Sequence, residues 1–125
     1  MSHGYQDLVA WQKSMDLVES VYHLTESFPK QETYGLTSQI RRAAVSVPSN
    51  IAEGQAHYTN ADFCRFLRIS RGSLAELETQ VLIAERLKYV APEHEKPITA
   101  QIHEVSRIIV GLINSLQERD EQRMC

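Results

Sequence analysis

The chain has 125 residues, 42% of them hydrophobic and 23% charged, the makeup of one ordinary globular domain and too short for separate catalytic and cofactor domains. Thirteen Lys+Arg against sixteen Asp+Glu give a net charge of -3. That balance argues against a generally basic nucleic-acid binder and leaves any such role to local charge.

Met1 to Asp7 are mostly polar and lack the apolar stretch of a signal peptide. No run of about 18 apolar residues occurs anywhere, so the sequence predicts a cytoplasmic protein without a membrane span. Residues 7–27 then place Leu8, Trp11, Met15, Val18 and Tyr22 at helical steps of three and four, the expected core face of a first helix. Phe28-Pro29 ends it, because Pro29 cannot continue the hydrogen-bond ladder.

A second helix is predicted over 34–54 on the stripe Leu36, Ile40, Ala43, Val47 and Ile51, with Gly54 where a left-handed C-terminal residue is wanted. Pro48 lies inside it and predicts a kink, with nearby Ser and Asn side chains as partners for freed backbone groups. The third helix, 60–89, opens with Thr59 as cap and Asp62 in the first turn. Its stripe is Phe63, Phe66, Leu67, Ser70, Leu74, Leu77, Val81 and Ala84, extending to Lys88. At 1.5 Å per residue it would span about 45 Å, the longest of the set.

A fourth helix, about 95–118, starts between Pro92 and Pro97 and carries Ile98, Ile102, Val105, Ile109, Leu112 and Leu116; the charged tail from Glu118 is expected to fray. Four amphipathic helices joined by short links, with no alternating strand pattern, predict an all-α, antiparallel up-down-up-down four-helix bundle forming a single domain, 1–125.

Apolar residues remain beyond one bundle core. Ile69 and Ile83 flank Glu76 at sevenfold spacing on the third helix, away from its core stripe. On the first helix Ala10, Leu17, Val21, Leu24 and Phe28 form a second line, and on the second, Val45, Ser49 and Ala52 present small residues outward. Aligned second stripes on three helices predict a self-association surface that includes Leu17, Val21, Leu24, Val45, Ala52, Ile69 and Ile83.

Catalytic signatures are missing. None of the five histidines follows a Glu by three residues, as a di-iron bundle requires. Glu53 and His57 could meet in a turn, but two ligands do not make a metal site. No phosphate-cradling glycine loop, nucleophile elbow or zinc-protease motif occurs. Cys64 and Cys125 read as free thiols, Cys64 in a buried or flanking position. The expectation is a protein that is not an enzyme and uses no cofactor or metal.

Positive charge is unevenly placed: residues 1–62 hold four basic and seven acidic groups, 63–91 five and three, 92–125 four and six. Arg65, Arg68 and Arg71 step by three through a stretch with no acid between Asp62 and Glu76, and Arg41 and Arg42 lie in another between Glu32 and Glu53. Such ridges could contact RNA or DNA phosphates. Alternatively they form a solvated face or pair with Glu53, Glu76 or Glu78 across helices or subunits. Gln39, Asn50, Ser70, Ser73 and Glu78, on or beside core stripes, require partners that the second and third helices could supply to each other.

The stretch Tyr34-Gly35-Leu36-Thr37-Ser38-Gln39-Ile40-Arg41-Arg42-Ala43-Ala44-Val45-Ser46-Val47-Pro48-Ser49-Asn50-Ile51-Ala52-Glu53-Gly54 resembles the signature of the bacterial 23S rRNA intervening-sequence protein family. Asp7-Leu8 with Trp11 and Lys13 resembles its opening helix, and Phe63 to Glu78, with Arg65-Phe66-Leu67 and Gly72-Ser73-Leu74-Ala75-Glu76-Leu77-Glu78, its third. The resemblance implies a four-helix bundle that assembles into a homopentamer, with no known enzymatic activity. Some members are encoded within insertions in 23S rRNA genes, and many are ordinary chromosomal genes. A similar bundle is an accessory protein of diversity-generating retroelements, a basic pentameric barrel that binds nucleic acid and the reverse transcriptase; the present chain departs from it in being acidic overall.

Overall fold

A computed structural model describes residues 4–124, with side chains as far as residue 121; Cys125 lies outside the described residues. Four helices follow in order, α1 (Val9–Thr25), α2 (Leu36–Gln55), α3 (Asn60–Arg86) and α4 (Pro92–Met124), with single 3-10 turns at Tyr5–Asp7 and Lys30–Glu32. Each helix packs on its neighbours in sequence and α4 closes against α1, as in an up-and-down bundle.

The stripes of α2 and α3 are buried as their spacing requires: Ile40, Ala43, Val47 and Ile51 from one, and Phe66, Leu67, Ser70, Leu74, Leu77, Val81 and Ala84 from the other. On α4, Ile98, Ile102, Val105, Ile109 and Leu116 are buried, but Ile113 takes the inward place expected of Leu112. Helix α4 is also the longest, at 33 residues against 27 for α3. It opens on Pro92, runs through Pro97 and continues beyond Glu118, where the sequence predicts fraying. Pro92 suits a first helical position because its missing N–H would be unpaired there anyway.

On α1 the two stripes exchange roles. Ala10, Ser14, Leu17, Val21 and Thr25 face the core, whereas Met15 and Tyr22 are exposed and Trp11 and Val18 half-buried. Leu17 and Val21, expected to be free for a second subunit, are thus spent on the chain's own core, and Leu24 packs against it from the edge. Polar residues disguise this line. Ser14 donates to the Trp11 carbonyl at 2.8 Å and Thr25 to the Val21 carbonyl at 2.9 Å, so both enter the interior with their hydroxyls satisfied inside the helix.

Gly54 is not a left-handed cap. It lies inside α2, where an added Cβ would sit 2.6 Å from Phe66 Cβ, so glycine permits the close approach of α2 and α3. The left-handed residue is Lys88, at φ 65°, which ends α3 rather than extending its stripe. Tyr89 N–H donates to the Ala84 carbonyl and Lys88 N–H to the Glu85 carbonyl, both at 2.9 Å, the paired bonds of a Schellman termination. Helix α2 passes through Pro48 without interruption.

Candidate functional site

The α2–α3 seam is polar as well as close. Ser70 donates to the Val47 carbonyl at 2.9 Å, Ser46 hydrogen-bonds Ser73 across the seam, and Asn50 donates to the Ser46 carbonyl at 2.8 Å. The two serine bonds are exchanges between the helices, whereas Asn50 finds its partner within α2. Glu78 instead turns to α4, its Oε2 lying 2.8 Å from His103 Nε2, and Gln39 is exposed.

The arginines divide between the two central helices. Arg41 is held against α1: its Nε donates to Thr25 Oγ1 at 2.8 Å, and its guanidinium sits 4.4 Å from the centre of the Tyr22 ring. Arg42 is exposed and lines a groove between α2 and α3 with Gln39, Ala43, Ser46, Glu76 and Gln80. Arg65, Arg68 and Arg71 are exposed on α3. Steps of three residues turn that ridge by about 60° each time, so it winds around the helix rather than joining Arg42 in one patch. Arg65 rests on the Phe66 ring at 4.4 Å, and Arg68 opens onto the α3–α4 side beside Gln117, Asp120 and Glu121.

Among the described residues the ion pair is Lys13–Glu104, joined by the contacts His23–Glu26, His57–Asp62 and His103–Glu78, which are ionic only when the histidine is protonated. No arginine takes part in one. His57 therefore pairs with Asp62 at 3.7 Å, across the turn from the Glu53 partner expected of it. Cys64 is buried, and that burial pushes its thiol pKa up while the nearby Arg68 pulls the other way. No His, Cys, Asp and Glu cluster suited to a metal ion occurs among the described residues, and none of their helices is long and apolar enough to cross a membrane.

Two apolar features remain outside. A shallow, mostly apolar groove between α1 and α2 is lined by Tyr5, Trp11, Met15, Val18, Val45, Pro48, Ser49 and Ala52, and Ile69 and Ile83 stand on α3, each 43% exposed. Of the predicted association residues, Val45, Ala52, Ile69 and Ile83 thus retain surface, while Leu17 and Val21 do not.

A family model described as 23S rRNA-intervening sequence protein matches residues 6–111. The chain belongs to that family. The match takes in α1, α2, α3 and most of α4, including both arginine ridges. No curated protein matches. Among solved structures, a protein of unknown function from the S23 ribosomal protein family of Bacteroides thetaiotaomicron superimposes with a TM-score of 0.75. It is 23% identical, over 84% of this chain and 98% of that one, a likeness that establishes the shared bundle fold. Neither the 23S rRNA-intervening sequence family description nor this neighbour names a reaction.

Sequence reasoning passed over Gln80. It lies on the seam side of α3, 8% exposed, and its Oε1 has no hydrogen-bond partner among the described residues. The available signal was its place four residues after Glu76 and four before Ala84, between core stripe and outer face.

Proposed function

We propose that this member of the 23S rRNA-intervening sequence family is a non-enzymatic, self-associating bundle that acts as a nucleic-acid-associated accessory protein. The observation carrying this reading is that all five arginines of the two acid-free stretches lack a carboxylate partner among the described residues. An exposed guanidinium not already neutralised is available to a phosphate, and binding then releases the counterions around the nucleic acid. Arg42, Arg65, Arg68 and Arg71 are the contacts; Arg41, tethered to Thr25, braces α1 against α2. Self-association, as the homopentamer that the family resemblance implies, is supported by Met15, Tyr22, Val45, Ile69 and Ile83, large apolar residues left in water on three helices.

Binding of a structured RNA, followed by fluorescence anisotropy, is expected to weaken steeply as salt rises and to fall several-fold on replacing Arg65 and Arg68 by Gln. Absence of binding at low salt would overturn the reading. A protein-binding or purely structural scaffold is the second reading, favoured by the apolar α1–α2 groove. In that case the same substitutions change the mass measured by light scattering, because the arginines pair across subunits, and RNA binding is absent throughout.

A further inference from the structure

The groove between α2 and α3 is about 470 Å³ and is lined by Gln39, Arg42, Ala43, Ser46, Glu76 and Gln80. Its two walls differ in hydrogen-bonding character. Glu76 and Gln80 are four residues apart on α3 and so stack on one face. They offer a carboxylate and, from Gln80, a buried carbonyl oxygen with no partner among the described residues. On α2, three residues apart, Gln39 offers an amide, which can donate or accept, and Arg42 a guanidinium, which can only donate. Arg42 and Glu76 line the same groove without forming an ion pair. The site therefore has an accepting wall, a donating wall and a buried acceptor that calls for a donor.

We propose that this groove takes the base of an unstacked guanosine in a single-stranded nucleic acid, donors toward α3 and acceptors toward α2. Guanine places N1–H and the N2 amino group side by side, and next to them the acceptors O6 and N7. Adenine and cytosine bring one amino group and uracil one N–H, so each leaves part of the accepting wall unpaired. This inference rests on the nucleic-acid reading above and adds a base-specific contact to its phosphate contacts.

The test compares a uridine hexamer with the same hexamer carrying one central guanosine, inosine or adenosine, at low salt, in RNA and DNA versions. Guanosine is expected to raise affinity about tenfold over uridine, inosine less, and adenosine not at all, in whichever sugar series is the natural one. Glu76→Gln, at an exposed position, and Gln80→Met, close in shape, should each erase the guanosine preference while the all-uridine affinity stays. Equal affinity for all four hexamers in both series, or a preference that survives both substitutions, overturns the base site and leaves the arginine reading intact. Guanosine monophosphate, titrated while the Gln80 side-chain amide resonance is followed, separates the two readings. A shift with it and not with adenosine monophosphate supports the groove even where every hexamer fails for want of phosphate contacts. No shift together with no hexamer binding overturns both.

Discussion

The two seams on opposite sides of the bundle are built differently. Between α1 and α4 the polar link is a rim pair, Lys13–Glu104 at 3.8 Å, each side chain 45% exposed; such a pair is worth little. Between α2 and α3, glycine and serine replace bulk, hydroxyls reach across to backbone and to each other, and a polar groove opens outward. Small residues bring two helices close, and close helices can surround a buried amide such as Gln80. The difference places the polar packing of the bundle on the α2–α3 side.

The largest expected effect comes from adding a methyl group to the close seam. Gly54→Ala should cost about 1–3 kcal/mol in urea unfolding, since the new Cβ would lie 2.6 Å from Phe66 Cβ, which cannot swing aside. An unchanged midpoint would show that the two helices can move apart there at no cost. Ser70→Ala, which removes the bond to the Val47 carbonyl, should cost about 1 kcal/mol by the same measurement. Gly111→Ala on α4 supplies the contrast. Nothing lies within 4 Å of an added Cβ there, so helix propensity alone acts and stability should rise by about 0.8 kcal/mol.

The smallest effect concerns pH. Glu32 accepts from the Leu36 N–H at 3.1 Å and from the Tyr89 hydroxyl at 2.9 Å, which together hold its carboxyl below the usual carboxylate range. A depressed folded-state pKa contributes stability that is present above the ordinary carboxylate pKa and is lost as pH falls through the folded value. Thermal unfolding of Glu32→Gln should therefore converge on that of the wild type under acid conditions and separate from it toward neutrality.

Legibility followed the same division. The stripes of α2 and α3 could be read because one apolar line dominates each helix, and their serines declared a need for partners that Val47 and Ser46 then met. On α1 two apolar lines run at equal spacing, and the bulkier one, with Trp11 and Tyr22, was the natural choice for the core. The inner line hides Ser14 and Thr25, whose bonds to carbonyls of their own helix remove the penalty that usually keeps hydroxyls out. Periodicity does not distinguish such lines; only the packing of the other helices does. Gly54 could have been a cap or a contact, and the nearness of Phe66 decides it. Both arginine ridges were legible as charge patterns. Their freedom from carboxylates was not, because ion pairing depends on distances between helices.

If these arginines bind phosphate as proposed, the salt dependence of RNA affinity must run through them. The wild-type protein should show a linear fall of log affinity with log salt, and Arg65→Gln with Arg68→Gln should make the slope shallower by about 0.7–0.9 for each phosphate that is no longer neutralised. A slope that is the same with and without the two arginines, or no measurable binding at low salt, would contradict the proposal.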